Sequence, residues 1–297
     1  MRFFYSNSTF LCKTATVGLL LLCFLPTFGQ APRTLNVNNV FWSEVNLSGK
    51  IKGKFGYQLD YQFRTQGESD KVRDQVMSKE KGMVEGAHGK YNIVAFPGQQ
   101  VIRPWISYKL NDKIKVSISP FGWWRTWTPT SDSSLNFQPE FRSTLQLALT
   151  QPLGRVTITQ RYRYEFRFLG KELPTNGSAG DDYYSGMTDP GSRRGRFRYM
   201  VRAIIPLNHQ KMEPKTYYIH TYNEILISIG HNVKPERILD QNRAFLGLGY
   251  KFSPALRVEL GYLNQYIPKG ATSDMNNAVQ LLFVVDDVNS FFKRKNQ

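Results

Sequence analysis

Residues 156–168 read VTITQRYRYEFRF. Side chains alternate faces along an extended chain, so Val156, Ile158, Tyr162, Tyr164, Phe166 and Phe168 share one side, and Thr157, Thr159, Arg161, Arg163, Glu165 and Arg167 share the other. One face is aromatic and the other is charged. The run is also longer than the five or six residues usual in a soluble sheet, and it suits a strand that crosses a membrane at a tilt, which needs about 9 to 11.

The same period recurs outward from this stretch. Phe55, Tyr57, Leu59, Tyr61 and Phe63 alternate with Lys54, Gly56, Gln58, Asp60, Gln62 and Arg64. Further strands are predicted at residues 40–47, 100–110, 114–127, 141–151, 196–205, 217–230, 242–252, 256–267 and 276–285, making eleven with the two above. Tight turns fall at 111–113, 152–155 and 253–255, where Asn, Asp, Pro and Gly gather, and long polar segments fall at 65–90, 128–140 and 169–195. Short turns at one end and long loops at the other are the habit of outer-membrane barrels. The predicted fold class is therefore all-β, a transmembrane antiparallel up-and-down β-barrel of about 12 strands (range 10–12). Because eleven is odd, a further strand is expected within residues 31–39, with residues 91–96 as its rival. Phe41 and Trp42 near one strand start, and Phe121, Trp123, Trp124 and Trp127 near another strand's end, are expected to form interfacial aromatic belts.

Composition fits this reading. The chain has 297 residues, 14% aromatics and a formal charge of +16, with a mean hydropathy of −0.42. So many aromatics argue against disorder, and the short apolar runs argue against a helical membrane bundle. The longest apolar run, residues 17–25, is nine residues long and follows Arg2 and Lys13, so residues 1–29 are expected to be a removable signal peptide and 30–297 one barrel domain. Removing Arg2 and Lys13 lowers the formal charge from +16 to +14. Cys12 and Cys23 both lie in that segment, so the mature chain would lack disulfides and thiolate metal sites. The expected location is the outer membrane of a Gram-negative cell. A soluble periplasmic β-barrel binding protein with an aromatic core is the alternative, and it requires shorter strands.

If the apolar face meets lipid, the opposite face supplies a basic lumen: Arg64, Arg103, Arg142, Arg161, Arg163, Arg167, Arg198, Arg202, Arg243 and Arg257, with Lys54, Lys109 and Lys251. Its acidic partners would be Asp60, Glu165, Glu224 and Glu259. Such a surplus must be wet, paired or in contact with an anion. Two readings stand. The lumen attracts small anionic solutes, or it is a salt-bridged plug whose surplus bases face lipopolysaccharide phosphates at the rims. The expected partners are thus outer-membrane lipid, lipopolysaccharide and small anionic solutes. Nucleic acid is not expected, because the bases are spread over many strands and alternate with aromatics.

Covalent chemistry has thin support. The histidines are His88, His209, His220 and His231; His220 and Glu224 share a face but lie roughly 13 Å apart along a strand. The sequence carries no G-x-S-x-G, H-E-x-x-H or phosphate-binding glycine loop. No catalytic residue, cofactor or metal site is expected, and Asp181, Asp182 and Asp189 read as solvated loop acids. A barrel enzyme acting on lipids is kept as an alternative.

Several segments resemble the family known as domain of unknown function 2490. They are Phe41-Trp42-Ser43-Glu44-Val45, Leu59-Asp60-Tyr61-Gln62-Phe63-Arg64, Ile102-Arg103-Pro104-Trp105, Arg161-Tyr162-Arg163-Tyr164-Glu165, Tyr222-Asn223-Glu224-Ile225, residues 242–250 (NRAFLGLGY) and residues 259–265 (ELGYLNQ). The resemblance covers roughly residues 38–285. It implies an exported bacterial barrel of outer-membrane type, and it implies no reaction.

Overall fold

A computed structural model describes residues 34–67, 93–129, 135–175, 182–188, 193–230 and 233–289. The proposed signal segment, His88, His231, Asp181 and Asp189 lie outside these residues. Eleven long strands follow one another: β1 (Thr34–Lys52), β2 (Phe55–Gln66), β3 (Phe96–Lys109), β4 (Ile114–Pro129), β5 (Leu135–Leu153), β6 (Val156–Leu169), β8 (Arg193–Pro206), β9 (Thr216–Ile229), β10 (Leu239–Lys251), β11 (Leu256–Lys269) and β12 (Thr272–Val285). A two-residue strand, β7 (Leu173–Pro174), pairs with the start of β5 at the rim, bringing the total to twelve. Each long strand pairs with its neighbours in chain order, and β1 pairs with β12, closing a barrel.

Every pairing around the wall is antiparallel except the last. An up-and-down walk of eleven strands brings the first and last into the same direction, so β1 and β12 run parallel, from Thr34 opposite Thr272 to Leu47 opposite Val285. The odd count thus needs no hidden strand: residues 34–39 are the start of β1, and β3 begins at Phe96. Side chains reinforce this seam, where Asn36 Nδ2 donates to Asp274 Oδ1 (3.1 Å) and Asn38 Nδ2 to Asn276 Oδ1 (2.8 Å).

The tight turns cluster at one end. Gly53 and Lys54 join β1 to β2, and Gly154 and Arg155 join β5 to β6; Gly154 has φ +61°, a left-handed conformation that glycine adopts without steric cost. A nine-residue connection, residues 207–215, shares that end. At the other end lie the longer connections, but β4 extends to Pro129 and β5 begins at Leu135, both inside the predicted loop 128–140, and β11 turns into β12 through Gly270 and Ala271 alone.

The wall is inverted relative to a soluble protein. Leu246, Leu248, Leu260 and Tyr262 are half or more exposed on the outside, as are Phe55 and Phe166 to nearly the same degree. Asp60, Arg103, Arg163, Glu165, Arg198 and Glu224 are at most 6% exposed inside. Two departures from simple alternation matter. In β4, a bulge spans Ser119 to Gly122, with one extra residue relative to both β3 and β5. Pro120 at its centre has no N–H for the ladder, and Ser143 Oγ donates to the Pro120 carbonyl (2.7 Å). The bulge reverses the parity of the rest of β4, so Trp124 points inward and is 3% exposed. Trp42 is likewise buried inside, packed with Val40, Phe245, Leu263 and Ala278. Neither tryptophan belongs to an outer aromatic belt.

Candidate functional site

The inward face of β6 decides the lumen. Arg161, Arg163, Glu165 and Arg167 stand about 7 Å apart along one strand, at roughly 3.3 Å per residue. Register then sets their cross-strand neighbours: Arg142 of β5 lies opposite Arg167, Arg198 of β8 opposite Arg163, and Arg196 of β8 opposite Glu165. Like charges directly opposite one another repel, and carboxylates from neighbouring positions resolve both conflicts. Glu140 accepts from Arg142 Nε (2.6 Å) and Nη2 (2.7 Å) and from Arg167 Nε and Nη2, holding that pair together. Arg198 turns away from Arg163 and bridges Glu165 (Nη1, 2.6 Å) and Glu224 (Nη2, 2.6 Å).

The chain of pairs runs on around the wall. Glu165 also accepts from Arg196 (2.8 Å from Nε) and lies 3.7 Å from Arg142. Arg196 reaches Asp240 at 2.8 Å. Glu224 takes Arg161 at 2.7 Å and has Arg243 at 3.8 Å. This is one connected network over β5, β6, β8, β9 and β10, and each of its arginines lies within 4 Å of a carboxylate. Bidentate arginine–carboxylate contacts of this kind fix geometry as well as energy.

Smaller groups sit apart. Asp60 accepts from Arg103 (2.7 Å) and from the Trp105 indole (2.8 Å). Glu259 accepts from the Tyr218 hydroxyl (2.9 Å) and contacts His220 Nδ1. Tyr218 reaches it by lying flat over Gly249, where a Cβ would sit 2.2 Å from the ring. Arg257 is 3.4 Å from Asp286. Three of the predicted lumen arginines have no carboxylate within 4 Å among the described residues. Arg64 lies 3.6 Å from the Trp42 ring centroid and donates to Gln62, Arg163 donates to Gln146 (2.6 Å), and Arg202 has no hydrogen bond among the described residues, its Nε being buried.

All fourteen predicted lumen residues thus lie on the interior side. Interior charges not singled out from the sequence include Glu44, Lys115, Glu140, Arg196 and Asp240. Arg196, the first residue of the predicted strand 196–205, shares its parity with Arg198, and Glu140, one residue before the predicted strand 141–151, shares its parity with Arg142, so the same alternation finds both. The three lysines expected inside sit at the turn end: Lys54 and Lys109 border a cavity there, Lys109 exposed, and Lys54 and Lys251 donate to the carbonyls of Leu110 and Met212. His220 pairs with Glu259 and not with Glu224, and His209 contacts Glu213 at 2.6 Å in the connection 207–215.

Two cavities occupy the interior. One of about 800 Å³ lies toward the end of the longer connections, and one of about 880 Å³ toward the tight turns. Glu44, Asn46, Arg103, Arg161, Arg163, Met200 and Arg202 line both, and so mark the waist between them. The waist is basic, with four arginines to one carboxylate. Among the described residues, no group of three or more His, Cys, Asp and Glu could hold a metal ion.

Comparison with known proteins adds the following. A family model described as "Protein of unknown function (DUF2490)" matches residues 39–276. No curated protein matches. Among solved structures, a ferric enterobactin receptor (PfeA) mutant from Pseudomonas aeruginosa aligns at 10% identity with a TM-score of 0.26, over 73% of this chain and 35% of the receptor. The chain therefore spans about a third of that receptor's length.

Proposed function

This chain belongs to the DUF2490 family of proteins of unknown function, and from that premise we propose that it is an outer-membrane β-barrel that performs no covalent chemistry and admits small anionic solutes to a basic lumen. One observation carries the reading: a buried arginine–glutamate network is enclosed by a wall whose outer surface is apolar. In water the exposed leucines and aromatics would be an aggregation hazard, whereas in a bilayer they meet hydrocarbon and the charged interior stays hydrated. Export by the segment 1–29 accords with this, and N-terminal sequencing of the mature protein would test it.

Inside, the paired arginines narrow the barrel and the four waist arginines favour anions over cations. A lipid hydrolase finds less support: His220 is 6% exposed, Glu259 occupies its Nδ1, and its Nε2 has no hydroxyl partner among the described residues. The test is reconstitution of the mature chain into planar bilayers. We expect a small conductance with reversal potentials displaced toward the anion. A chain that stays folded in aqueous buffer without detergent, or a cation-selective current, would refute the proposal.

A further inference from the structure

The two chambers differ in how their charges are satisfied. Toward the longer connections, Arg142, Arg167, Arg196, Arg198 and Arg243 each have a carboxylate partner, and Arg64 instead has Gln62 and the face of Trp42. Toward the tight turns, Arg103, Arg161 and Arg257 are paired, but three other bases are not. Arg163 has only the neutral Gln146 and the face of Trp105, 4.9 Å from its guanidinium carbon. Arg202 has no hydrogen bond among the described residues, its Nε is buried, and its electrostatic neighbours are the bases Arg257 and Arg161 and the acids Glu259 and Asp286. Lys115, on the inward face of β4, is near Arg202, Lys109 and Arg163 as well as Asp60, and has no ion pair among the described residues. All three line the chamber of about 880 Å³, Arg163 and Arg202 from the waist that it shares with the other chamber.

Besides Asp112 and Asp287, three acids line this chamber, and each has a partner of its own. Asp60 is held by Arg103 and Trp105, Asp286 faces Arg257, and Glu44 has Gln280 at 3.4 Å. We infer that the turn-end chamber is a binding site for a small oxyanion of two or more negative charges, of the phosphate or pyrophosphate type, held by Lys115, Arg163 and Arg202. Guanidinium forks match the oxygens of such an anion in pairs, and the lysine adds a compact charge. A monovalent ion would leave much of the local repulsion in place. The site deepens the reading of the lumen as anion-accepting and rests on it.

The test uses the mature chain folded in detergent micelles, titrated calorimetrically with sodium pyrophosphate and with inorganic phosphate against a constant background of sodium chloride. The expected result is saturable binding at one site per chain, tighter for pyrophosphate. Arg202→Gln and Lys115→Gln should each weaken it about tenfold, the scale of one lost charge-assisted hydrogen bond. Arg64→Gln, in the other chamber, should leave it within about twofold. Since both turn-end substitutions remove repulsion, they should also raise the unfolding temperature without ligand, which separates them from variants that fail to fold. No heat beyond the chloride background with the fold intact, or an equal loss from Arg64→Gln, would overturn the inference. Binding that survives in a chain without anion selectivity in bilayers would support the site and refute the wider reading. Selectivity without pyrophosphate binding would do the reverse.

Discussion

The charged wall of β5, β6, β8 and β9 and the seam of β1 with β12 are built on the same alternation, yet the middle of the seam's inward face is apolar where the wall's is charged. The wall carries Glu140, Arg142, Glu165, Arg196, Arg198 and Glu224, each buried and each partnered. The seam carries Val40, Trp42 and Ala278, packed against Phe245 and Leu263 from β10 and β11. The difference follows the hydrogen-bond ladders. The antiparallel wall can hold costly charges so long as geometry pairs them, whereas the parallel closure has slanted, slightly weaker backbone bonds and gains from burying apolar area over it. The seam's inward face is mixed: its apolar patch at Val40, Trp42 and Ala278 lies between the Asn36–Asp274 and Asn38–Asn276 bonds on one side and Glu44 with Gln280 on the other.

The largest effect is expected from Glu165→Gln, which takes the common carboxylate away from Arg196, Arg198 and Arg142. Removing one member of a buried ion network costs about 3–5 kcal/mol, and denaturant unfolding in micelles should show it as an earlier midpoint. Leu263→Ala tests the other region. It opens a cavity beside Trp42 and should cost about 2–5 kcal/mol, read the same way; a loss below that range would mean that the seam does not depend on its inner packing. Gly249→Ala forces a Cβ into the Tyr218 ring, and overpacking of about 1–3 kcal/mol is expected, with the Tyr218 to Glu259 contact loosened in the tyrosine fluorescence. The smallest effect belongs to Asn38→Ala, which deletes one seam hydrogen bond worth about 1 kcal/mol. If it cost as much as Glu165→Gln, the contrast between the two regions would fail.

Much of this was legible in the sequence. Alternation in residues 54–64 and 156–168 identified both the fold and the sign of each face, because period two is a direct imprint of the pleat. Non-local events were less visible. The bulge that turns Trp124 inward depends on how β4 pairs with both neighbours, and Pro120 is its one local sign. Trp42 shares its parity with Glu44, which marks it as inward, but its aromatic character suggests a membrane boundary. Glu140 and Arg196 lie at the starts of the predicted strands 141–151 and 196–205, where boundaries are least defined, and inside the longer β5 and β8 of the structure. The parallel seam joins residues more than two hundred positions apart, and only the odd strand count hints at it.

The central claim is that apolar residues face lipid and charged residues face the lumen. The mature chain would carry no cysteine of its own, so single Leu248→Cys and Leu260→Cys variants can be compared with Gln241→Cys and Asn276→Cys, each labelled with a fluorophore and reconstituted with brominated lipid. The account predicts strong quenching at positions 248 and 260 and little at 241 and 276. Equal quenching at all four, or the reverse order, would contradict it.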